Sequence, residues 1–206
     1  MDNWESLTFI PMDSHQAIIR NIERFVRLTA EEQQYFMSIV RPVTVRKKQY
    51  IVQPEFVCRH KSYVVKGALR SYFVDANGQE HTIALSVEDW WISDFYSYLY
   101  QTPATLFVEA LEESILLQLE YHAEEELLER YPIFEKYFRI LSIRALANLQ
   151  KRMLSNLSLT AVERYDEYLA KYPAIAARVP QYALAPYLGI STEFLSKIRS
   201  DKRKKS

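Results

Sequence analysis

The chain has 206 residues, with 26 Lys and Arg against 26 Asp and Glu and 49% hydrophobic residues, a composition that excludes a disordered chain and suits one or two compact domains. No apolar run approaches the roughly 20 residues of a membrane span, and the start MDNWESLTF lacks the layout of a secretory signal, so the chain is expected in the cytoplasm. One cysteine, Cys58, excludes an internal disulfide, a four-cysteine iron–sulfur cluster and a four-cysteine zinc site, and is expected to be packed.

In chain order, Thr29-Ala30-Glu31-Glu32 forms a capping box ahead of Tyr35, Phe36 and Ile39, opening a helix expected to cover the β structure that follows. Strand-like runs then occupy residues 43–46, 50–52, 63–66 and 69–74. Asn77-Gly78, between that last run and residues 81–85, signals a hairpin of the two-residue type. Residues 90–94, 107–110 and 115–119 continue the series. Short strands about 8 to 12 residues apart, with no helical period between them, indicate an antiparallel sandwich or barrel. The three glycines, Gly67, Gly78 and Gly189, each fall at an expected turn.

Residues 123–130 are acidic and helical, Pro132 punctuates, and a long helix runs from about 133 to 154. Its apolar residues make two stripes. Phe134, Phe138, Leu141, Ala145 and Leu149 lie on one, and Ile133, Tyr137, Ile140 and Ala147 on its neighbour. One stripe has the barrel to cover; the other calls for a copy of the same helix in a parallel twofold dimer, with a core helix of a monomer as the alternative.

The most informative stretch is residues 181–199, QYALAPYLGISTEFLSKIR. Leu184, Leu188, Ile190, Leu195 and Ile198 supply buried contacts between two short helices, Ala185 is small at their crossing, and Gly189 takes the turn in a left-handed conformation. Ser191 caps the second helix, which in a helix-turn-helix is the one that reads DNA. From residue 181 onward six bases (Lys197, Arg199, Lys202, Arg203, Lys204, Lys205) meet two acids (Glu193, Asp201), while the first 180 residues hold 20 bases against 24 acids. A neutral chain with a basic end on its reading helix is the footprint of phosphate contacts. A pair of amphipathic helices with no DNA role is the alternative.

Thr192, Glu193, Ser196, Lys197 and Arg199 fall on or near the DNA-facing side. Lys197 suits a guanine edge or a phosphate, Glu193 a cytosine amino group and Arg199 a phosphate. Phe194 and Leu195 are read as packing, with a thymine methyl within reach of one of them. Gln181 and Ser191 are candidates for backbone contacts at helix starts. Pro186 is read as early in the first helix, where it cannot donate to the Tyr182 carbonyl, so that helix is expected to kink or start late.

The motifs YVVKGALR (residues 63–70), NGQE (77–80), EDWWISD (88–94), EALE (109–112), AVERY (161–165), YP (172–173), VPQ (179–181) and YLGIS (187–191) combine in a recognisable order. From about residue 20 to 203 the chain resembles the cyclic-AMP receptor/fumarate-nitrate regulator (Crp/Fnr) superfamily, especially the compact members common in Bacteroidetes-type bacteria. The resemblance implies an α+β chain in three parts. Residues 1–130 are N-terminal helices and a cyclic-nucleotide-binding-like antiparallel jelly roll, 131–155 a dimerisation helix, and 156–206 a small all-α helix-turn-helix domain. It also implies a homodimeric transcription regulator on double-stranded DNA, with RNA polymerase and an unidentified small-molecule effector as further candidate partners. Larger relatives carry a two-stranded wing after the reading helix for which this chain leaves no room, a loss that Lys202 to Lys205 can offset through phosphates.

Nucleotide-binding relatives have a phosphate cassette with a Gly-Glu pair followed further along by Arg and then Ser or Thr. Here Ser93-Asp94 and Ala104-Thr105 stand in those places, so the charge-assisted contact to a cyclic phosphate is lost and cyclic nucleotide binding in the usual mode is not expected. Phe95, Tyr96, Tyr98 and Tyr100 are read as aromatic barrel core; an effector pocket of Asp94, Phe95, Tyr96, Ala104 and Thr105 is the alternative. His15, His60, His81 and His122 have no spacing that suits haem, a metal or a cupin-type site, and no P-loop, dinucleotide fingerprint or nucleophile elbow occurs. Neither a cofactor nor an enzymatic activity is expected. The competing functional reading is a small-ligand-binding or protein-interaction module whose helix-turn-helix does not read DNA.

Overall fold

The computed structural model describes residues 13–203. Helices α1 (Asp13–Glu23) and α2 (Ala30–Ile39) precede the strands. Thr29 opens α2 as the capping box requires, its hydroxyl accepting from the Glu32 amide at 3.2 Å while the Glu32 carboxylate accepts from the Thr29 amide at 2.6 Å. The strands are β1 (Val40–Val45), β2 (Tyr50–Val52), β3 (His60–Lys66), β4 (Leu69–Val74), β5 (Glu80–Ser86), β6 (Trp91–Ile92), β7 (Phe107–Ala110) and β8 (Ser114–Glu120). They form two four-stranded antiparallel sheets, ordered β1-β8-β3-β6 and β2-β7-β4-β5. Val45, Val64, Leu69, Val108, Ala110 and Leu116 fill the space between them. Pro42 is tolerated because β1 is an edge strand.

After the sheets come α4 (Tyr121–Arg130), α5 (Ile133–Ser158), α6 (Ala161–Lys171), α7 (Pro173–Arg178), α8 (Gln181–Tyr187) and α9 (Thr192–Arg203). Strand residues alternate between faces, so while Leu116 points into the barrel, Leu117 and Leu119 point outward with Tyr63. There they meet Ile18 and Ile22 of α1, Phe36 of α2, Leu127 of α4, and Phe134 and Tyr137 of α5. Helix α2 therefore covers the barrel, as its position in the sequence suggests. The other sheet is covered through β5 by the C-terminal helices: Ala68, Leu85, Val87 and Leu111 share one core with Ile175, Val179, Leu184, Leu195 and Ile198.

Three expectations are corrected. The hairpin between β4 and β5 is not of the two-residue type. The Asp75 amide bonds to the Gln79 carbonyl and the Gly78 amide to the Asp75 carbonyl, and Gly78 alone takes positive φ, at 81°. This is a type I turn closed by a glycine bulge, which Asn-Gly serves equally well. The aromatic run after residue 94 is a short helix, α3 (Phe95–Tyr100), so only Tyr98 is buried, while Phe95, Tyr96 and Tyr100 are exposed and form no barrel core. Helix α5 buries Phe134 and Tyr137 and partly covers Phe138 and Leu141, but beyond residue 141 its apolar side chains stand exposed, Ala145, Ala147 and Leu149 among them.

Candidate nucleic-acid interface

Helix α8 starts at Gln181, directly after Pro180. Pro186 sits in its last turn rather than its first, so α8 neither starts late nor loses more than one terminal bond. The turn that follows is a Schellman motif. The Ile190 amide bonds to the Ala185 carbonyl at 3.0 Å and the Gly189 amide to the Pro186 carbonyl at 3.1 Å, with Gly189 at φ 68°. Ser191 then caps α9, its hydroxyl accepting from the Phe194 amide at 3.2 Å. Leu184, Ala185, Leu188, Leu195 and Ile198 are buried where the sequence places them, and Ile190 packs partly buried against them.

That anchoring decides which face of α9 is presented. Glu193, Phe194, Ser196 and Lys197 are exposed and Thr192 is half-buried. Phe194, read above as packing, is 43% exposed, whereas its neighbour Leu195 is fully buried. Arg199 turns back toward α6, its Nε donating to the Tyr165 hydroxyl at 3.1 Å. Lys202 pairs with Asp166 at 2.5 Å. Gln181 is half-buried at the start of α8. Lys204 and Lys205 lie outside the described residues.

The helical domain is fixed to the barrel by ion pairs that no short-range pattern reveals. Arg178 of α7 donates to both oxygens of Glu88, at 2.8 and 2.9 Å, and also pairs with Glu112. Glu88 in turn accepts from the Gly67 amide at 2.9 Å. Burial alone would push the Glu88 carboxyl up, but the Arg178 and Gly67 hydrogen bonds outweigh it and hold the group below the ordinary glutamate value. Nearby, Tyr182 of α8 lies under Lys48 and Arg70, and Arg70 bonds Glu109 and Glu80 at 2.8 and 2.7 Å.

At the cassette position Asp94 is 2% exposed and its carboxylate is already engaged. Oδ1 accepts from the Ser97 amide at 3.1 Å, capping α3, and Oδ2 accepts from the amides of Thr105 and Leu106 at 2.9 and 3.0 Å. Ala104 is buried beside them, while Phe95 and Tyr96 face away into solvent. Of the five residues suggested for an effector pocket, Asp94 and Thr105 are thus drawn into one internal cap, Ala104 is buried next to them, and Phe95 and Tyr96 lie outside it. Cys58 is buried, its sulfur 3.1 Å from the Ser93 hydroxyl. His81 is paired with Asp75 at 2.8 Å and stacked on Phe73, and among the described residues no three of His, Cys, Asp and Glu converge on a metal position.

No protein-family model and no curated protein matches the chain. Solved structures do. The c-di-GMP-responsive global regulator CLP of Xanthomonas campestris aligns over 86% of this chain and 93% of its own, with 13% identity and a TM-score of 0.68. FixK2 of Bradyrhizobium japonicum aligns over 81% and 86%, with 20% identity and a TM-score of 0.68. The chain has the Crp/Fnr-type regulator fold. A Crp/Fnr family regulator of Eubacterium rectale, 15% identical over 86% of this chain and 85% of its own, superposes with a TM-score of 0.66. Within this Crp/Fnr-type fold the two sheets are the cyclic-nucleotide-binding-like domain and α8 and α9 the helix-turn-helix.

Proposed function

We propose that the chain is a homodimeric, DNA-binding transcriptional regulator whose sensor domain takes no cyclic nucleotide in the usual mode. Its working parts are residues 1–130 as sensor, 131–155 as dimerisation helix and 156–206 as DNA-binding domain. The observation that carries the reading is α9 itself: Leu195 and Ile198 anchor it while Glu193, Ser196 and Lys197 stand exposed along its outer face. A helix held this way presents donors and acceptors of both signs to a major groove. The likeness of the whole fold to transcription regulators rather than enzymes supports the same conclusion.

The dimer rests on α5. Ile143, Leu146, Met153 and Leu157 are all more than half exposed, and with Gln150 they follow the alternating three- and four-residue spacing of a coiled-coil seam. A second copy covers that seam and sets two reading helices about one DNA turn apart. The sensor reading rests on Asp94, whose carboxylate occupies the cassette amides, and on the alanine at 104 in place of a phosphate-binding arginine. Among the described residues no helix is long and apolar enough to cross a membrane, in keeping with action on DNA in the cytoplasm.

Sedimentation velocity paired with DNA-binding anisotropy tests this. The chain should sediment as a dimer and bind DNA with steep salt dependence, and the double variant Leu146→Glu, Leu157→Glu should be monomeric and bind at least about tenfold more weakly. A monomeric chain whose DNA affinity ignores those substitutions overturns the proposal.

A further inference from the structure

We propose that Phe194 is a specificity-determining residue of the reading helix, its ring packing on the C5 methyl group of one thymine in each half-site; the inference rests on the DNA-reading function proposed above. Phe194 and Leu195 are adjacent apolar residues, and on an α-helix adjacent side chains point about 100° apart. Only one of them can join the domain core. Leu195 does so with Ile198, and both are almost wholly buried. Phe194 is left 43% exposed on the side that carries Glu193 and Lys197.

Its place on that helix is fixed. The Phe194 amide donates to the Ser191 hydroxyl that caps α9, which puts the ring in the first helical turn. In a helix-turn-helix the N-terminal residues of the second helix are the ones that meet base edges. Among the described residues, the ring–ring contacts of the helical domain, Tyr168 with Tyr172 and Tyr187 and Tyr172 with Trp90, do not include Phe194, so the fold gives this ring no packing task of that kind.

The chemistry selects the target. A phenyl ring has neither donor nor acceptor, and of the groups displayed in the major groove only the thymine methyl is apolar. Flanking residues supply the polar part of the readout, with Glu193 suited to a cytosine amino group and Lys197 to a guanine edge or a phosphate. The rival contact for an exposed ring, the face of a deoxyribose, would raise affinity for all sequences alike.

The test replaces thymine by uracil, which removes the methyl group and leaves base pairing and hydrogen-bonding groups intact. An operator is first obtained by selecting genomic DNA on the full-length protein, and each thymine in it is then exchanged for uracil. For the parent chain, one position per half-site should be methyl-dependent, and exchanging both should weaken binding about tenfold, the loss of roughly one buried methyl per half-site. For Phe194→Ala that exchange should have no effect, and Phe194→Leu should keep part of it. Methyl-indifferent binding by the parent, or a methyl effect that survives in Phe194→Ala, overturns the inference and leaves DNA reading intact. A large drop in melting temperature in Phe194→Ala also overturns it, by making Phe194 a packing residue. Failure of the parent to enrich any sequence overturns both this inference and the function it rests on.

Discussion

Replacing Arg178 by methionine should weaken the docking of the helical domain on the barrel while leaving both folded. The substitution keeps most of the apolar stem and deletes the charge that bonds Glu88 at 2.8 and 2.9 Å and also pairs with Glu112. Exposed pairs are worth 0.2 to about 1 kcal/mol, and breaking a buried one costs about 3 to 5. The three side chains are 33%, 39% and 36% exposed, so the value belongs between these limits after screening by solvent, at about 1.5 kcal/mol. For a chain of this size that is a melting shift of about 3 to 6 °C. The apolar contacts of Ala68, Leu85, Val87 and Leu111 with Ile175, Val179 and Leu184 remain and keep the domain in place. Urea unfolding of Arg178→Met, Glu88→Gln and the double variant measures the coupling, which should be about 1 kcal/mol at neutral pH. Because the folded Glu88 value lies below its ordinary value, the contribution is present above the ordinary glutamate pKa of about 4.3 and is lost as pH falls through the folded one. Single effects that add to within about 0.3 kcal/mol at neutral pH, or a coupling that persists in acid below the carboxylate range, would refute the latch.

Two other perturbations probe the barrel. Burial lowers the Lys61 pKa to about 8 against the opposing pull of Glu124, with which it pairs beside the Phe138 ring. The folded chain therefore holds that proton less tightly than the unfolded one, and stability should rise between pH 8 and about 9.5 in the parent but not in Lys61→Met. A urea midpoint equally flat in both would contradict this. Gly67→Ala would place a methyl 2.6 Å from Cβ and 2.8 Å from Cα of Ser114, at a backbone φ of 116°. It should cost at least about 2 kcal/mol and loosen Glu88, whose carboxylate the Gly67 amide holds, so that thermal stability and DNA affinity fall together. An unchanged melting temperature would show that the β3 to β4 turn is not as tight as described.

How much of this was legible in the sequence varied with the range of the interactions. The helix-turn-helix was legible because its determinants are local: a left-handed glycine, a serine cap and apolar residues at helical spacing lie within 19 residues. The strand series was legible for the same reason, apart from the β4 to β5 turn, where Asn-Gly fits two turn types. Helix α3 was misread because a run of Phe and Tyr carries no period that separates a strand from a two-turn helix; the clue was Asp94, a good cap, three residues before Ser97. The sequence pattern assigns one stripe of α5 to the barrel and its neighbour to a second copy, each along the whole helix, yet Phe134 and Tyr137, one from each stripe, are both buried against the barrel side. The apolar contact of α5 with the barrel ends near residue 141, and beyond it Ile143, Leu146, Met153 and Leu157 stand exposed. The Arg178 latch joins residues 90 and 66 positions apart, which no local pattern encodes.

The most direct test of the central claim is selection of source-genome DNA on the purified full-length protein at moderate salt, run in parallel with Lys197→Ala. The parent chain should enrich a roughly palindromic motif and the variant should lose it, because Lys197 stands exposed on the outer face of α9 proposed to meet the major groove. Retention of DNA with no sequence in common, or the same motif enriched equally by both proteins, would contradict it.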